Sequence, residues 1–123
     1  MDDVNEGQTS ATGHLFTRAE LAAKLGVEEH RVRNLVRAHD LIELTTPDGK
    51  RIPEYAMLQG EAGLEVNPAL RGTVLALLDN GLTVPEASEW LASENEELTS
   101  SPLAALHAGH IHGVRRAILS TAL

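Results

Sequence analysis

Two short helical patterns separated by a glycine constrain the fold of this chain more than any other feature. Thr17 and Glu20 have the Thr-x-x-Glu spacing of a capping box, Phe16 is placed to act as a hydrophobic staple, and Gly26 ends the helix that follows. A second helix is predicted over residues 28–39. Its buried stripe consists of three aliphatic residues, Val32, Leu35 and Val36. The order helix, glycine turn, helix is that of a helix-turn-helix.

The outer face of the second helix carries polar and basic side chains. At about 100° per residue, the positions opposite the apolar stripe are those of four residues, His30, Arg33, Asn34 and Arg37, with Arg31 on the flank. Such a face fits the major groove of DNA, because guanidinium groups bind guanine acceptors or phosphates and an amide pairs with an adenine edge. Thr17 and Arg18, at the start of the first helix, are expected to hold phosphate.

A β-hairpin is predicted after these helices. Residues 41–53 contain apolar segments around a Pro-Asp-Gly turn, and Pro53 ends the second strand. Lys50 and Arg51 make this hairpin a candidate wing that contacts the DNA backbone or minor groove. Tyr55, Met57 and Leu58 suggest a helical turn that packs back on this unit.

The rest of the chain is predicted to be helical. Residues 59–65 are interpreted as a linker, and capping signals at Asn67, Thr83 and Ser101 begin helices of a second part. The predicted fold is mostly α: a disordered tail (1–14), a winged helix-turn-helix (15–58) with a small β-hairpin wing, and a helical C-terminal domain (66–123).

The charge balance first argues against nucleic-acid binding. The chain has 18 acidic and 10 basic residues, a formal net charge of −8. Residues 18–51, however, hold seven of the basic residues and only six acidic ones, so the negative balance lies elsewhere. We expect weak binding that responds strongly to salt.

Several other chemistries lack residues to support them. Without cysteine there is no disulfide, thiolate metal site or cysteine nucleophile, and three aromatic residues offer no platform for stacking single-stranded bases. No motif places a catalytic group or a cofactor, so we expect no enzyme and no cofactor. His107, His110 and His112 are interpreted as exposed or capping residues rather than a metal site.

No membrane span or signal peptide is evident, so a cytoplasmic, nucleoid-associated protein is expected.

Segments in both parts of the chain together carry a family resemblance. In the head they are residues 21–27 (LAAKLGV), 31–37 (RVRNLVR) and 51–53 (RIP). In the C-terminal part they are residues 70–73 (LRGT), 81–82 (GL), 86–87 (EA), 89–91 (EWL), 101–103 (SPL) and 105–106 (AL). These segments resemble a small actinobacterial family of winged-helix DNA-binding proteins, which have a MerR-like or excisionase-like head and a helical C-terminal part. The resemblance covers about residues 15–123, and it implies DNA binding through the head and regulation by serine/threonine protein kinases.

The tail offers three candidate phosphorylation sites, Thr9, Ser10 and Thr12. They follow an acidic stretch, and a phosphate there would compete with double-stranded DNA for Arg33 and Arg37. The chain lacks the long coiled-coil helix of MerR-type regulators, so a monomer or a weak homodimer is expected.

Two functions stay open. The first is a transcriptional regulator or nucleoid-associated factor that binds duplex DNA. The alternative is an antitoxin-like interaction module, in which the acidic C-terminal helices bind a basic partner protein. The acidic residues concerned are Glu86, Glu89, Glu94, Glu96 and Glu97.

Overall fold

The computed structural model describes residues 11–121, of which about half are helical. The helices in this range are α1 (Arg18–Leu25), α2 (Glu29–Arg37), α3 (Pro68–Asp79), α4 (Val84–Ala92), α5 (Pro102–His107) and α6 (Ile111–Thr121). The strands are β1 (Leu15–Phe16), β2 (Leu44–Thr46), β3 (Gly49–Pro53), β4 (Met57–Gly60) and β5 (Gly63–Val66), with a 3₁₀ turn at Glu54–Ala56.

The first two helices form as their local signals predict. The Thr17 side chain accepts from the amide of Glu20 while the Glu20 side chain accepts from the amide of Thr17, which completes the capping box. Gly26 ends α1 in the left-handed conformation, with φ of 71°. Three residues then separate α1 from α2, and Glu28 is the N-cap of α2.

The predicted hairpin is present but shorter than expected. Strands β1, β3 and β2 form an antiparallel sheet in that order, and Thr45 pairs with Lys50 across the hairpin. Leu41 and Ile42 precede β2 as a loop rather than as part of the strand. Both are buried in the core, and tertiary packing therefore holds this segment without strand pairing.

The segment interpreted as a linker is a second hairpin. Strands β4 and β5 pair from Met57 with Val66 to Gly60 with Gly63, around a two-residue turn. Gly63 has φ of 130°, a conformation that favours glycine. The helical turn predicted to include Met57 and Leu58 was wrong beyond residue 56, because both residues lie in β4 and Met57 is fully buried there.

The start of the described range also differs from the prediction of a disordered tail over residues 1–14, of which residues 1–10 lie outside the described residues. Residues 11–14 were assigned to the tail, yet their carbonyl groups are tied to the folded part. Tyr55 and Glu54 donate their amides to the carbonyl oxygens of Thr12 (3.0 Å) and His14 (2.7 Å). The Ser101 hydroxyl donates to the Ala11 carbonyl at 2.6 Å.

Both parts of the chain contribute to one hydrophobic core. The core cluster includes residues of α1 and α2, such as Leu21 and Val32, together with Leu77, Leu91 and Val114 from the C-terminal helices. All three C-terminal capping predictions are confirmed: Asn67, Thr83 and Ser101 are the N-caps of α3, α4 and α5. A shared core holds the two parts of the chain in a fixed relation.

Within residues 11–121, no helix has both the length and the apolar character needed to cross a lipid bilayer.

Candidate nucleic-acid interface

The outward face of α2 carries the polar side chains that the sequence places there. Val32 on the opposite side is fully buried, and Leu35 and Val36 pack against the core. The residues of the outward face are all exposed: His30, Arg31, Arg33, Asn34 and Arg37. Four of them, all except Arg31, lie within an arc of about 100° on the helix. The face is therefore continuous and accessible.

The cations of this face are not engaged by other described groups. Within residues 11–121, the one ion pair joins Arg18 to Glu43, and no side-chain hydrogen bond involves Arg31, Arg33 or Arg37. Unpaired guanidinium groups on one helix face are suited to bind phosphates or the acceptor atoms of guanine.

The N-terminal end of α1 is arranged differently from the phosphate contact that was expected. The Arg18 guanidinium binds the Glu43 carboxylate through two hydrogen bonds, from Nε to Oε2 at 2.6 Å and from Nη2 to Oε1 at 2.9 Å. The Glu43 side chain is only 8% exposed. The Thr17 hydroxyl is already used as the cap of α1. Both residues thus have structural roles in this conformation.

The ion pair also affects the titration of the arginine. Hydrogen bonding to Glu43 raises the pKa of Arg18 above its ordinary value, against the opposing effect of burial. Because the pKa of Arg18 is higher in the folded chain than in the unfolded chain, the ion pair stabilises the fold at every pH below the unfolded-state pKa. That stabilisation is lost only when the pH rises through the folded-state pKa. The arginine side of this pair is therefore insensitive to pH around neutrality.

The two wing candidates on the β2–β3 hairpin differ in exposure. Lys50 is exposed, whereas Arg51 is partly buried and donates from Nη1 to the carbonyl oxygen of Lys50 at 2.9 Å. The turn is closed by the Thr46 hydroxyl, which donates to the Gly49 carbonyl at 2.6 Å and accepts from the Asp48 amide. Lys50 is thus the better placed of the two wing candidates.

A contact that the sequence did not reveal holds the C-terminal end of α2. Arg71 of α3 donates from Nε to the Ala38 carbonyl at 3.1 Å, which places a positive charge at the negative end of the helix dipole. His39 follows in the left-handed conformation with φ of 69°, and the His39 and Asp40 amides donate to the Val36 and Leu35 carbonyls. This is a Schellman motif with histidine where glycine is usual.

The phosphorylation candidates are only partly described. Thr9 and Ser10 lie outside the described residues. Thr12 is partly buried, and its hydroxyl donates to the Gly13 carbonyl at 2.9 Å. Modification of Thr12 would have to break this hydrogen bond.

The C-terminal histidines do not form a metal site among the described residues. Between residues 11 and 121, no group of three or more potential ligands is arranged to hold a metal ion. His107 is more buried than predicted: its Nδ1 lies 2.8 Å from the Met57 carbonyl oxygen, and its ring stacks on Tyr55 at 4.7 Å. His110 and His112 are exposed.

The surface of α4 is acidic around an aromatic side chain. The five glutamates that the sequence assigns to this surface are exposed. Trp90 is partly buried and donates from its indole nitrogen to the Thr121 hydroxyl at 3.1 Å. Trp90 and Leu82 line a shallow depression of about 500 Å³ with Glu86, Glu89 and Glu94 at its edge. Trp90 therefore contributes both to packing and to an accessible surface.

Comparison with known proteins relates this chain to Rv2175c. Residues 68–122 match the family model described as the Rv2175c C-terminal domain of unknown function. The NMR structure of Rv2175c matches with a TM-score of 0.73 and 25% sequence identity, over 90% of this chain and 82% of that chain. No curated protein sequence matches significantly. The chain is thus similar in fold to Rv2175c over most of its length, and its C-terminal helices match the small actinobacterial family that bears that name.

Proposed function

We propose that this protein binds duplex DNA as a winged helix-turn-helix, with α2 as the recognition helix and the β2–β3 hairpin as the wing. The observation that carries the proposal is the outward face of α2, where three exposed arginines, one asparagine and one histidine have no other described partner. An α-helix with its side chains is about 10–12 Å wide, which matches a major groove about 12 Å wide.

The residues have distinct roles in this proposal. His30 lies in the first turn of α2 and Asn34 near its middle, and both contact base edges. Arg33 binds guanine acceptors or a phosphate. Arg31 and Arg37 bind phosphates, and Lys50 and Arg51 bind the backbone beside the groove. Arg18 contributes through its backbone amide at the start of α1 rather than through its engaged side chain. Thr17 acts only as the N-cap that orients this helix end, because its amide and its hydroxyl are both used in the capping box.

The charge distribution suggests a modest affinity. Residues 18–51 carry a near-neutral balance, and the remaining residues have three basic and twelve acidic side chains. We infer a transcriptional regulator or nucleoid-associated factor that acts as a monomer or weak homodimer. Kinase phosphorylation at Thr9, Ser10 or Thr12 adds negative charge and weakens DNA binding further.

A salt series with duplex DNA tests the recognition helix. The dissociation constant is measured by fluorescence anisotropy for the wild type and for Arg33→Ala with Arg37→Ala. Each lost phosphate contact reduces the slope of log K against log salt by about 0.9, so we expect a reduction of about 1–2 units.

The matched control removes two arginines from another exposed helix. Arg115→Ala with Arg116→Ala changes the net charge by the same amount on α6. If both double variants lower affinity and slope equally, the effect is one of net charge and the assignment of α2 is wrong. Unchanged binding by the α2 variant also contradicts it.

The depression beside Trp90 favours the antitoxin-like alternative as a second candidate function. An apolar floor with a rim of three glutamates fits an amphipathic basic segment of a partner protein. Trp90 is the single tryptophan of the chain, so its emission reports binding at this surface. An amphipathic Lys/Leu peptide is expected to shift the emission saturably, and a Glu/Leu peptide of the same pattern is not. Equal shifts with both peptides contradict this candidate.

A further inference from the structure

A cavity of about 180 Å³ lies at the junction between the N-terminal part and α4. We call it the junction cavity. It is bounded by the C-terminal end of α2, the loop before β2, the β2–β3 hairpin and the start of α4. Its apolar lining comes from both parts of the chain: Val36, Leu41, Ile42, Leu44, Val74 and Val84.

A buried hydroxyl in the junction cavity lacks a partner. Ser88 of α4 is 4% exposed and lines the cavity, and no hydrogen bond of its side chain is present within residues 11–121. Buried polar groups are nearly always paired, because leaving one unpaired costs about 1–3 kcal/mol. Other buried hydroxyls in this fold follow the rule: Thr73 donates to the Ala69 carbonyl and Ser101 donates to the Ala11 carbonyl. The Ser88 hydroxyl is therefore available to a ligand.

Charges of both signs accompany this hydroxyl. Lys50 and Glu89 line the cavity, both are exposed, and neither forms an ion pair with another residue of the range 11–121. Glu43 also lines it, but its carboxylate is neutralised by Arg18. The cavity thus combines an apolar interior with the available ammonium group of Lys50 and the available carboxylate of Glu89, and the His39 side chain also lines it.

We propose that the junction cavity binds a small apolar α-amino acid, with Lys50 on the ligand carboxylate, Glu89 on its ammonium group and Ser88 as a hydrogen-bond partner. An apolar cavity of about 150 Å³ accommodates benzene, so a volume of this size holds an aliphatic or single-ring side chain but no nucleotide. A neutral hydrocarbon would leave the buried Ser88 hydroxyl without a partner and would gain nothing from Lys50 or Glu89. A simple carboxylic acid would pair with Lys50 but would gain nothing from Glu89.

Binding at this site is coupled to DNA, a consequence that rests on the proposed function. Lys50 is a proposed DNA contact, and the ligand carboxylate would compete with phosphate for it. Val36 lies on the recognition helix itself. The amino acid therefore weakens DNA binding, and DNA weakens amino-acid binding by the same factor.

The site is tested on the full chain without DNA, by isothermal titration and by amide chemical shifts. The probes are L-leucine, L-valine, L-phenylalanine and two truncated analogues of leucine, 4-methylpentanoate and 3-methylbutylamine. We expect saturable shifts at Val36, Val84 and Ser88 with at least one amino acid. Each truncated analogue of leucine loses one charge-assisted contact and binds about ten-fold more weakly than leucine.

Variants assign the polar roles. Ser88→Ala is expected to weaken leucine binding, and Lys50→Gln is expected to bring leucine to the affinity of 3-methylbutylamine. The controls are Ser120→Ala and Lys24→Gln, exposed positions outside the cavity. If none of the three amino acids binds, or if a truncated analogue binds as well as leucine, the proposal is overturned.

The two proposals fail separately in this design. Absence of amino-acid binding in the DNA-free titration removes the cavity as a ligand site and leaves the DNA-binding proposal unaffected. If the amino acid binds at the cavity while duplex DNA does not bind at any salt concentration, the proposed function fails and the ligand site stands.

Discussion

Asn67 joins helices α3 and α5 through one buried side chain, and its replacement measures the strength of that connection. The Asn67 side chain is 5% exposed. Its Oδ1 accepts from the Ala69 amide at 3.0 Å and caps α3, and its Nδ2 donates to the Leu106 carbonyl at 3.3 Å. One residue therefore supplies a helix cap and a bridge between α3 and α5.

The expected cost of Asn67→Ala is about 2 kcal/mol of unfolding free energy. Loss of an N-cap costs about 1 kcal/mol. The Leu106 carbonyl also accepts from the Gly109 amide at 3.0 Å, so the lost bridge does not leave it unpaired and costs about 1 kcal/mol more. Asn67→Ser keeps a capping oxygen and is expected to lose only the bridge. Asn67→Asp keeps the cap but places a carboxylate against the Leu106 carbonyl, which costs more than the serine variant.

Urea unfolding followed by Trp90 fluorescence and by far-UV circular dichroism measures these values. Thr83→Ala is the matched control, because it removes the capping box of α4 without a bridge to another helix and is expected to cost about 1 kcal/mol. If Asn67→Ala costs no more than Thr83→Ala, the bridge contributes nothing. Two separate transitions from the two probes would contradict a single shared core.

Three further changes have defined outcomes. Gly26→Ala is expected to lower the unfolding free energy by about 1 kcal/mol, because an added Cβ meets no atom within 4 Å and only the positive φ is unfavourable; an unchanged urea midpoint would contradict this. His39→Gly relieves the same left-handed conformation after α2 and is expected to raise stability by up to about 1 kcal/mol in the same assay. A loss of stability would show that packing of the partly buried imidazole matters more. Glu43→Gln removes the negative charge and one of the two acceptor oxygens that hold Arg18, which makes the guanidinium easier to release. The DNA-binding salt slope is expected to steepen by up to about 0.9 while stability falls by about 1 kcal/mol. An unchanged slope would show that Arg18 does not reach DNA.

The helix boundaries were predictable because their causes are local. A capping box joins residues three positions apart, and a glycine stop needs only its own backbone conformation. Thr17, Gly26 and Thr83 therefore carry their structural roles in their immediate sequence. The accessible face of α2 was predictable for a related reason, since the spacing of three apolar residues orients the whole helix.

The second hairpin was not predictable in the same way. Residues 59–65 contain two glycines and two glutamates, a composition typical of a linker. Their strands are short, and what holds them is burial of Met57 at one end together with packing of β5 against α1. Such tertiary contacts override local propensity, so the residues themselves give no indication of them.

The engagement of individual charges depends on long-range contacts as well. Arg18 meets Glu43 across 25 positions and Arg71 meets the Ala38 carbonyl across 33. When only the neighbouring positions in the sequence are considered, a basic residue at the start of a helix, such as Arg18, predicts a phosphate contact. Only the folded chain distinguishes Arg18, which is held by a carboxylate, from Arg33 and Arg37, which are available.

The shared core determines how the DNA-binding proposal has to be tested. A fragment of residues 15–58 would lack Leu70, Leu77, Leu91 and Leu103, which are fully buried in the cluster that also contains Leu21 and Val32. Such a fragment exposes apolar surface, and its loss of DNA binding would report unfolding. For the same reason the acidic C-terminal helices lie at a fixed distance from α2. Their repulsion of DNA phosphates therefore contributes equally to every binding measurement at a given salt concentration. Charge substitutions in the full chain are therefore the variants that distinguish the proposed DNA contacts of α2 from the electrostatic field of the whole protein.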